Sequence, residues 1–546
     1  MFKYYFFSDY KLPQGRVNKI KKVHLSGENS ISKGPENNIY KNEYRPQIHY
    51  SPKENWMNDP NGMVYYEGEY HLFYQHTPHD TQPDFGRMHW GHAVSNDLVH
   101  WAELPPAIPP GEDGAIFSGS AVVDKNNTSG FFKEAGSGLV AIYTNDGNSA
   151  QPGKPQVQSI AYSKDKGRTW SKYEGNPVLF PKETLDFRDP KVFWHEESSN
   201  WVMVLAVRDR VEFYTSSNLK DWSFASDFGS DIPGIHRGIF ECPEVFEIQV
   251  DEDPNTTKWI LILSVGDRNG VNPNDSEPPA GGSGMMYFIG DFDGNFFKLD
   301  ETLDSIDTIR WIDYGSDFYA AVTWDNIPNE DGRKIWVGWM NNWRYASTLP
   351  SKEWRGHMSI PREIQLRTYS EGLRLTQAPV TELNQLRRPI LSLQDITIKP
   401  DMNVLSAVSA AKIEIIAEFE IGTATEFGFK VRKSSSFDQE TVIGYTVLNE
   451  ELFVDRTKSN TVDFHPDFAA KHKALMKPEH ERIQLSIYVD WSSVEVFGNN
   501  GTTIISDMIF PHLESSGLEL YTLGGELKVI SLQINDLISI WGNESI

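Results

Sequence analysis

Ser95-Asn-Asp-Leu-Val-His-Trp101 returns as Ser163-Lys-Asp-Lys-Gly-Arg-Thr-Trp170 and again as Ser217-Asn-Leu-Lys-Asp-Trp222, each time a polar turn leading into a tryptophan. The tryptophans lie 69 and 52 residues apart. Around them run short β-branched and aromatic segments, among them Met63-Val-Tyr-Tyr66, His71-Leu-Phe-Tyr74, Leu139-Val-Ala-Ile-Tyr143 and Trp336-Val-Gly-Trp339, divided by Gly, Asp, Asn and Pro. Such segments read as strands and their dividers as turns, with almost no helical period. Four short strands repeated at this interval predict propeller blades; the competing reading is unrelated hairpins in a sandwich.

A second periodicity concerns polar clusters: Asn58-Asp-Pro-Asn-Gly62, Phe117-Ser-Gly-Ser120, Phe187-Arg-Asp-Pro190, Phe240-Glu-Cys-Pro243 and Asp317-Phe-Tyr-Ala320. Asp59, Ser118, Asp189, Glu241 and Asp317 are separated by 59, 71, 52 and 76 residues, about one blade each. Five clusters predict five blades over residues 45–365, with one residue per innermost strand converging on a central pocket.

Beyond residue 365 the text changes. Fourteen of the 16 tryptophans fall between Trp56 and Trp354. Residues 366–390 read as a linker with a possible helical stretch at Thr381–Arg388. Residues 391–546 carry long alternating strands such as Lys412-Ile-Glu-Ile-Ile-Ala-Glu-Phe-Glu-Ile421 and Ile483-Gln-Leu-Ser-Ile-Tyr-Val-Asp490. Period-two alternation gives each sheet one buried face, so the expected fold class is all-β, a five-bladed propeller followed by a β-sandwich. Residues 1–44, with a basic patch at Arg16, Lys19, Lys21 and Lys22, read as an arm.

The chain of 546 residues is long enough for several domains. Its net charge of −25 opposes binding to phosphates, so neither nucleic acid nor a membrane surface is an expected partner. Cys242 stands alone, which excludes an internal disulfide or a Cys-rich zinc site. No secretory leader is visible in Met1–Tyr10, which Lys3 and Asp9 interrupt, and no apolar run approaches a membrane span.

Three carboxylates precede proline in strand contexts: Asp59-Pro60, Asp189-Pro190 and Glu241-Cys242-Pro243. Proline fixes φ and removes a donor, so it ends ladder pairing and holds the preceding side chain. Converging carboxylates among aromatics suit glycosidic cleavage: one donates a proton, another attacks or activates water, and rings stack on sugar faces. Phe85, Trp90, Trp343 and Trp354 are the candidate surfaces. The structural alternative is aspartates capping turns and aromatics filling blade cores. His71, His76, His79, His89, His92 and His100 read as structural or surface residues, since alternation scatters them. Ser118 and Ser120 lack a triad pattern. Gly281-Gly-Ser-Gly284 reads as a flexible loop, and Cys242 as a small buried filler. Sequons such as those at Asn127 and Asn500 are too common to establish secretion.

Trp56-Met-Asn-Asp-Pro-Asn-Gly62, Phe187-Arg-Asp-Pro190 and Glu241-Cys-Pro243, in that order, resemble the signature motifs of glycoside hydrolase family 32, the invertase, inulinase and levanase family. Phe73-Tyr-Gln75, the stretch from Trp90 to Trp101, Ile116-Phe-Ser-Gly-Ser-Ala121, Asp317-Phe-Tyr-Ala320, Gly338-Trp-Met-Asn-Asn-Trp343 and Ser492-Ser-Val-Glu-Val-Phe-Gly-Asn499 resemble its bacterial levanase branch. The resemblance implies retaining hydrolysis of terminal β-D-fructofuranosyl residues of levan, inulin or sucrose, without metal or organic cofactor. It implies Asp59 as nucleophile, Glu241 as general acid/base and Asp189 as transition-state stabiliser. Asn58, Gln75, Ser118 and Arg188 match positions that hold the terminal fructose, Trp343 an aromatic beside it, and Phe85, Trp90, Phe117 and Tyr319 are expected to complete the substrate site. Relatives usually carry tryptophan where Phe85 and Phe240 stand, which bears on pocket width. Relatives of this branch are usually secreted, which implies an extracellular enzyme, with the cytoplasm as the alternative. Fructosyl transfer or internal cutting on the same fold, a non-catalytic sugar-binding module, and a sialidase-like propeller suggested by the Asp-box pattern at Ser163–Trp170 are the other readings.

Overall fold

The computed structural model describes residues 39–542 apart from 135, 148, 150–152, 183, 230–238, 267–276, 301–308 and 436–437. Most of the expected arm lies outside the described residues. Its last residues pack on the body: the Tyr40 ring stacks on Trp541 with centroids 3.9 Å apart, and Tyr44 is buried.

Four-stranded units follow one another as expected. The first comprises Asn55–Tyr66, Glu69–Thr77, His89–Ser95 and Trp101–Ile108; the second Ala115–Val123, Leu139–Asp146, Gln156–Ser163 and Ser171–Lys172. The third comprises Arg188–His195, Asn200–Val207, Arg210–Ser216 and Ser223–Phe228; the fourth Phe240–Val250, Asp253–Val265, Gly284–Phe292 and Phe297–Leu299. Tyr319–Thr323, Lys334–Trp339, Arg362–Tyr369 and Gly372–Pro379 form the fifth, which joins the fourth sheet where Val250 pairs with Leu366. The leading strands of the five units approach one another in cyclic order, the fifth touching the first. Two backbone seams tie that junction. Asn55 pairs in parallel with Trp354, and Tyr65 N–H donates to the Asp325 carbonyl at 2.9 Å.

The tryptophan repeats are one turn used three times, between the third and fourth strands of blades one to three. A serine hydroxyl bonds an Asx side chain two residues on, in the pairs Ser95–Asp97, Ser163–Asp165 and Ser216–Asn218. The indole N–H then donates back to a carbonyl three residues upstream, Trp101 to Leu98, Trp170 to Gly167 and Trp222 to Leu219, at 3.0 to 3.1 Å. Each of those acceptor residues has positive φ, which lets so short a turn close. The serine of the third copy is therefore Ser216 and not Ser217.

The expected boundary at 365 falls inside the strand Arg362–Tyr369. The hairpin running to Pro379 supplies the outer half of blade five and buries Leu366, Leu373 and Leu375, so 366–379 belong to the propeller. A short 3-10 helix, Thr381–Leu386, follows, and Arg387–Ile398 opens the sandwich. Sheets of six and five strands face each other there; Ile413, Ile415, Ala417 and Phe419 alternate inward against Phe427, Phe429 and Val431.

Charged groups are buried between the two domains. His49, just before the first blade, donates to Asp490 at 2.8 Å and to Glu495 at 2.7 Å in the sandwich. Burial disfavours the charged ring, but the two hydrogen bonds and the negative charges of Glu495 and Asp490 together outweigh it and raise His49 to about 9. Arg362 of blade five joins Glu495 to Asp313 and also reaches Ser506. Arg362→Ala leaves two buried carboxylates short of a partner. It is expected to cost about 3–5 kcal/mol, read as a lower urea midpoint at pH 7; an unchanged midpoint would show that the network contributes nothing to stability.

Candidate active site

Side chains alternate along a strand, so bringing neighbouring groups to one point requires a break in pairing. Every innermost strand has such a break at the predicted cluster. Register slips between Met57 and Pro60, between Ile116 and Gly119, opposite Asp189, between Glu241 and Glu244, and between Tyr319 and Val322. Asp189, Cys242 and Ala320 have φ of 61°, 44° and 53°, and Gly62 of 55°. Gly62 also leaves room for the ring of Phe73, which a Cβ would meet at 2.5 Å. A small cavity at the ring centre is lined from all five blades by Asn61, Ser118, Asp189, Cys242 and Val322.

Asp189 lines that cavity, and Asp59 and Glu241 gather beside it around Cys242 and Arg188. Asp59 accepts from Ser118 Oγ at 2.9 Å, and its second oxygen is buried without a hydrogen-bond partner among the described residues. Asp189 accepts from Cys242 N–H at 3.0 Å. The Cys242 sulfur lies 3.6 Å from Asp59 and 3.8 Å from Asp189, so one thiol touches both. Glu241, 25% exposed, is gripped from two sides: Arg188 donates to it at 3.0 Å and Tyr319 OH at 2.5 Å. Arg188 Nε lies 3.8 Å from Asp189, so the guanidinium spans both acids.

Electrostatics follows from this crowding. Burial, and next the neighbouring Glu241, raise Asp59 to about 6 against hydrogen bonds from Asn58, Ser118 and Cys242. Burial raises Asp189 to about 7; Arg188 opposes the rise, and the charges of Glu241 and Asp59 add to it. The Cys242 thiol is pushed well above its ordinary value by burial and by the adjacent carboxylates. It therefore remains a neutral donor and is no nucleophile.

Other predicted residues divide into those at the site and those behind it. Asn58 is held by Trp56, whose indole donates to Asn58 Oδ1 at 2.6 Å, and Gln75 donates to Asn61 at 2.7 Å. Phe85, 42% exposed, lies 6.3 Å from Phe117 and 6.0 Å from Trp343, forming an aromatic rim. Trp90 offers no face to a ligand: it is fully buried and donates its N–H to the Phe117 carbonyl. Trp354 is likewise buried, beneath the Arg45 guanidinium, and Phe240 is buried between blades, so its departure from tryptophan does not alter the pocket wall. The Gly281–Gly284 loop packs on the rim, where Asn342 donates to the Gly281 carbonyl and Trp343 N–H to Ser283 Oγ. His71 and His92 bond each other at 3.0 Å, and burial lowers both.

Two features escaped the sequence reading. Cys242 is a shared donor more than a filler. Below the acids, Lys191 pairs with Glu244 at 2.6 Å and donates to the Thr323 carbonyl, which joins blades three, four and five. The available signal was position: Lys191 and Glu244 directly follow the proline of their motif, and Cys242 directly precedes one.

The family 32 N-terminal domain of glycosyl hydrolases matches residues 49–379, and the family 32 C-terminal domain matches 382–536. The chain belongs to glycosyl hydrolase family 32. This glycosidase is 52% identical over 511 residues to the levanase of Bacillus subtilis (strain 168), covering 93% of this chain and 72% of that protein. It is 38% identical to the extracellular exo-inulinase of Aspergillus awamori, over 92% of this chain and 96% of that one. A crystal structure of exo-inulinase from Aspergillus awamori superposes with a TM-score of 0.83 at 36% identity, over 92% of this family 32 chain and 100% of that one.

If Asp59 must be charged to react, activity falls as the pH drops through about 6. Glu241 contributes to that raised value, so in Glu241→Gln the acidic limb of kcat/KM for an activated aryl fructoside should move to lower pH. An unmoved limb would remove Asp59 as the group being titrated.

Proposed function

We propose that this glycosidase releases terminal β-D-fructofuranosyl units from fructans and sucrose, with retention, by double displacement. The carrying observation is the unlike setting of two carboxylates: Asp59 has a buried oxygen with no partner among the described residues, whereas Glu241 is partly exposed and held by two donors. In the first step the Glu241 carboxyl proton passes to the glycosidic oxygen as its bond to the anomeric carbon breaks, and Asp59 bonds that carbon. In the second, Glu241 takes a proton from water, whose oxygen displaces Asp59. Asp189 bonds sugar hydroxyls more strongly as positive charge develops on the ring.

The surroundings of the acids support terminal action. The Lys191–Glu244–Thr323 contacts close the ring below the acids, and Phe85, Phe117 and Trp343 rim it above. We read these contacts as the floor and rim of a pocket that admits a chain end. Similarity to the Bacillus subtilis levanase supports levan as the first substrate, with inulin and sucrose next. Similarity to an extracellular exo-inulinase supports action outside the cell, and among the described residues no helix is long and apolar enough to cross a membrane.

Chromatography of levan, inulin and sucrose digests should show free fructose from the earliest times; early oligofructosides without fructose would mean internal cutting. Glu241→Ala should still form an adduct on Asp59 from an activated fructoside and regain turnover with azide. Asp59→Ala should do neither, because acid–base assistance is worth roughly two to four powers of ten while loss of the nucleophile removes the intermediate. Equal loss in both variants, without azide response, would reject these roles.

A further inference from the structure

The cluster Asp317-Phe-Tyr-Ala320 divides its side chains between two domains. Tyr319 reaches Glu241, but Asp317 turns away into the sandwich. There its carboxylate receives Arg456 Nη1 at 2.6 Å, Met508 N–H at 2.8 Å and Tyr345 OH at 2.6 Å, with Arg456 and Asp317 both wholly buried. Arg456 is itself fixed by the carbonyls of Phe468 and Met508.

The contact extends along the segment. Residues 313–317 lie beside the sandwich strand Thr503–Met508 in a ladder-like arrangement. Tyr314 N–H donates to the Ile504 carbonyl and Asp317 N–H to that of Ser506, while Ser506 N–H donates to Asp313 and Ser316 N–H to Asp507. Gly315 presses so close that a Cβ would meet the Ser506 backbone at 2.1 Å. Phe318 next packs under the Arg362 guanidinium, 4.0 Å from its ring centroid. The chain then turns through Tyr319, whose OH bonds Glu241.

We propose that the sandwich takes part in catalysis, with Arg456 acting through Asp317 as a positioning residue that holds Tyr319 on Glu241. The inference rests on reading Glu241 as the acid/base. One residue, Phe318, separates the buried ion pair from the tyrosine, and the docked backbone leaves the intervening peptide no slack. The propeller alone lacks this anchor, because Arg456 and the strand Thr503–Met508 lie in the second domain. What Tyr319 supplies is orientation: with Arg188 on the other oxygen, it fixes the plane of the carboxyl group that must meet the leaving oxygen.

The test compares kcat/KM for sucrose, whose leaving group needs protonation, with kcat/KM for an activated aryl fructoside, which needs it little. Tyr319→Phe, Arg456→Met and the double variant are assayed across pH. As a control, Arg387→Met breaks the Arg387–Glu414 pair on the sandwich alone. Both single variants should lose about 10- to 100-fold on sucrose and far less on the aryl substrate, with the basic limb of the profile displaced alike. The double variant should be no worse than Tyr319→Phe. The control should melt earlier with an unchanged ratio of the two substrates. If Arg456→Met does not fold, Arg456→Lys and Asp317→Asn replace it. Folded Arg456 or Asp317 variants with the wild-type ratio, or losses that multiply in the double variant, overturn the proposal. An unchanged ratio in Tyr319→Phe overturns it too, whereas the acid/base reading of Glu241 fails separately, if Glu241→Ala shows no azide response.

Discussion

A strand in a ladder alternates its side chains, and a ring of such ladders offers its centre only every second residue. The whole site depends on breaking that rule five times at one level. Asp189, Cys242 and Ala320 adopt left-handed backbone that costs non-glycine residues of order 1–3 kcal/mol each. That strain persists because the strands on either side of each break remain paired and buried. It also aims three acids and the Cys242 amide at a volume that regular strands leave empty.

Gathering carboxylates out of water penalises their charge, and the neighbouring groups decide how the penalty is shared. Arg188 couples Asp189 to Glu241, and the Cys242 thiol couples Asp59 to Asp189. No member of the set is independent of the others, so the chemistry of each acid is a property of the ensemble. The same economy operates between domains, where His49, Arg362 and Arg456 each answer more than one buried carboxylate.

Much of this was legible because breaks in ladders need particular residues. Asp59, Asp189 and Glu241 announced themselves through Pro60, Pro190 and Pro243, and blade number through the spacing of those motifs. Aromatics carried no such mark. Trp90 and Trp354 resemble Phe85 and Trp343 in composition, yet Trp90 fills the core between the first two blades, Trp354 packs with Tyr44 and Phe468 beside the sandwich, and only Phe85 and Trp343 reach the rim, a distinction set by depth. The boundary was drawn early because the tryptophan-rich text ends at Trp354, while the final hairpin uses leucines instead. Asp317 matched the periodicity of the clusters, but the direction of its side chain depends on Arg456, which lies 139 residues away.

The seam at the first blade bears on how the molecule comes into being. The strand holding Asp59 is made early, yet its neighbours at the closure, Asp325 at one end and Trp354 at the other, are made some 260 to 300 residues later. At a translation rate of about 5–20 residues per second, that strand waits tens of seconds with one edge unpaired. The residue read as the nucleophile thus leaves the ribosome well ahead of its partners, and its setting is sealed only when nearly the entire propeller has emerged.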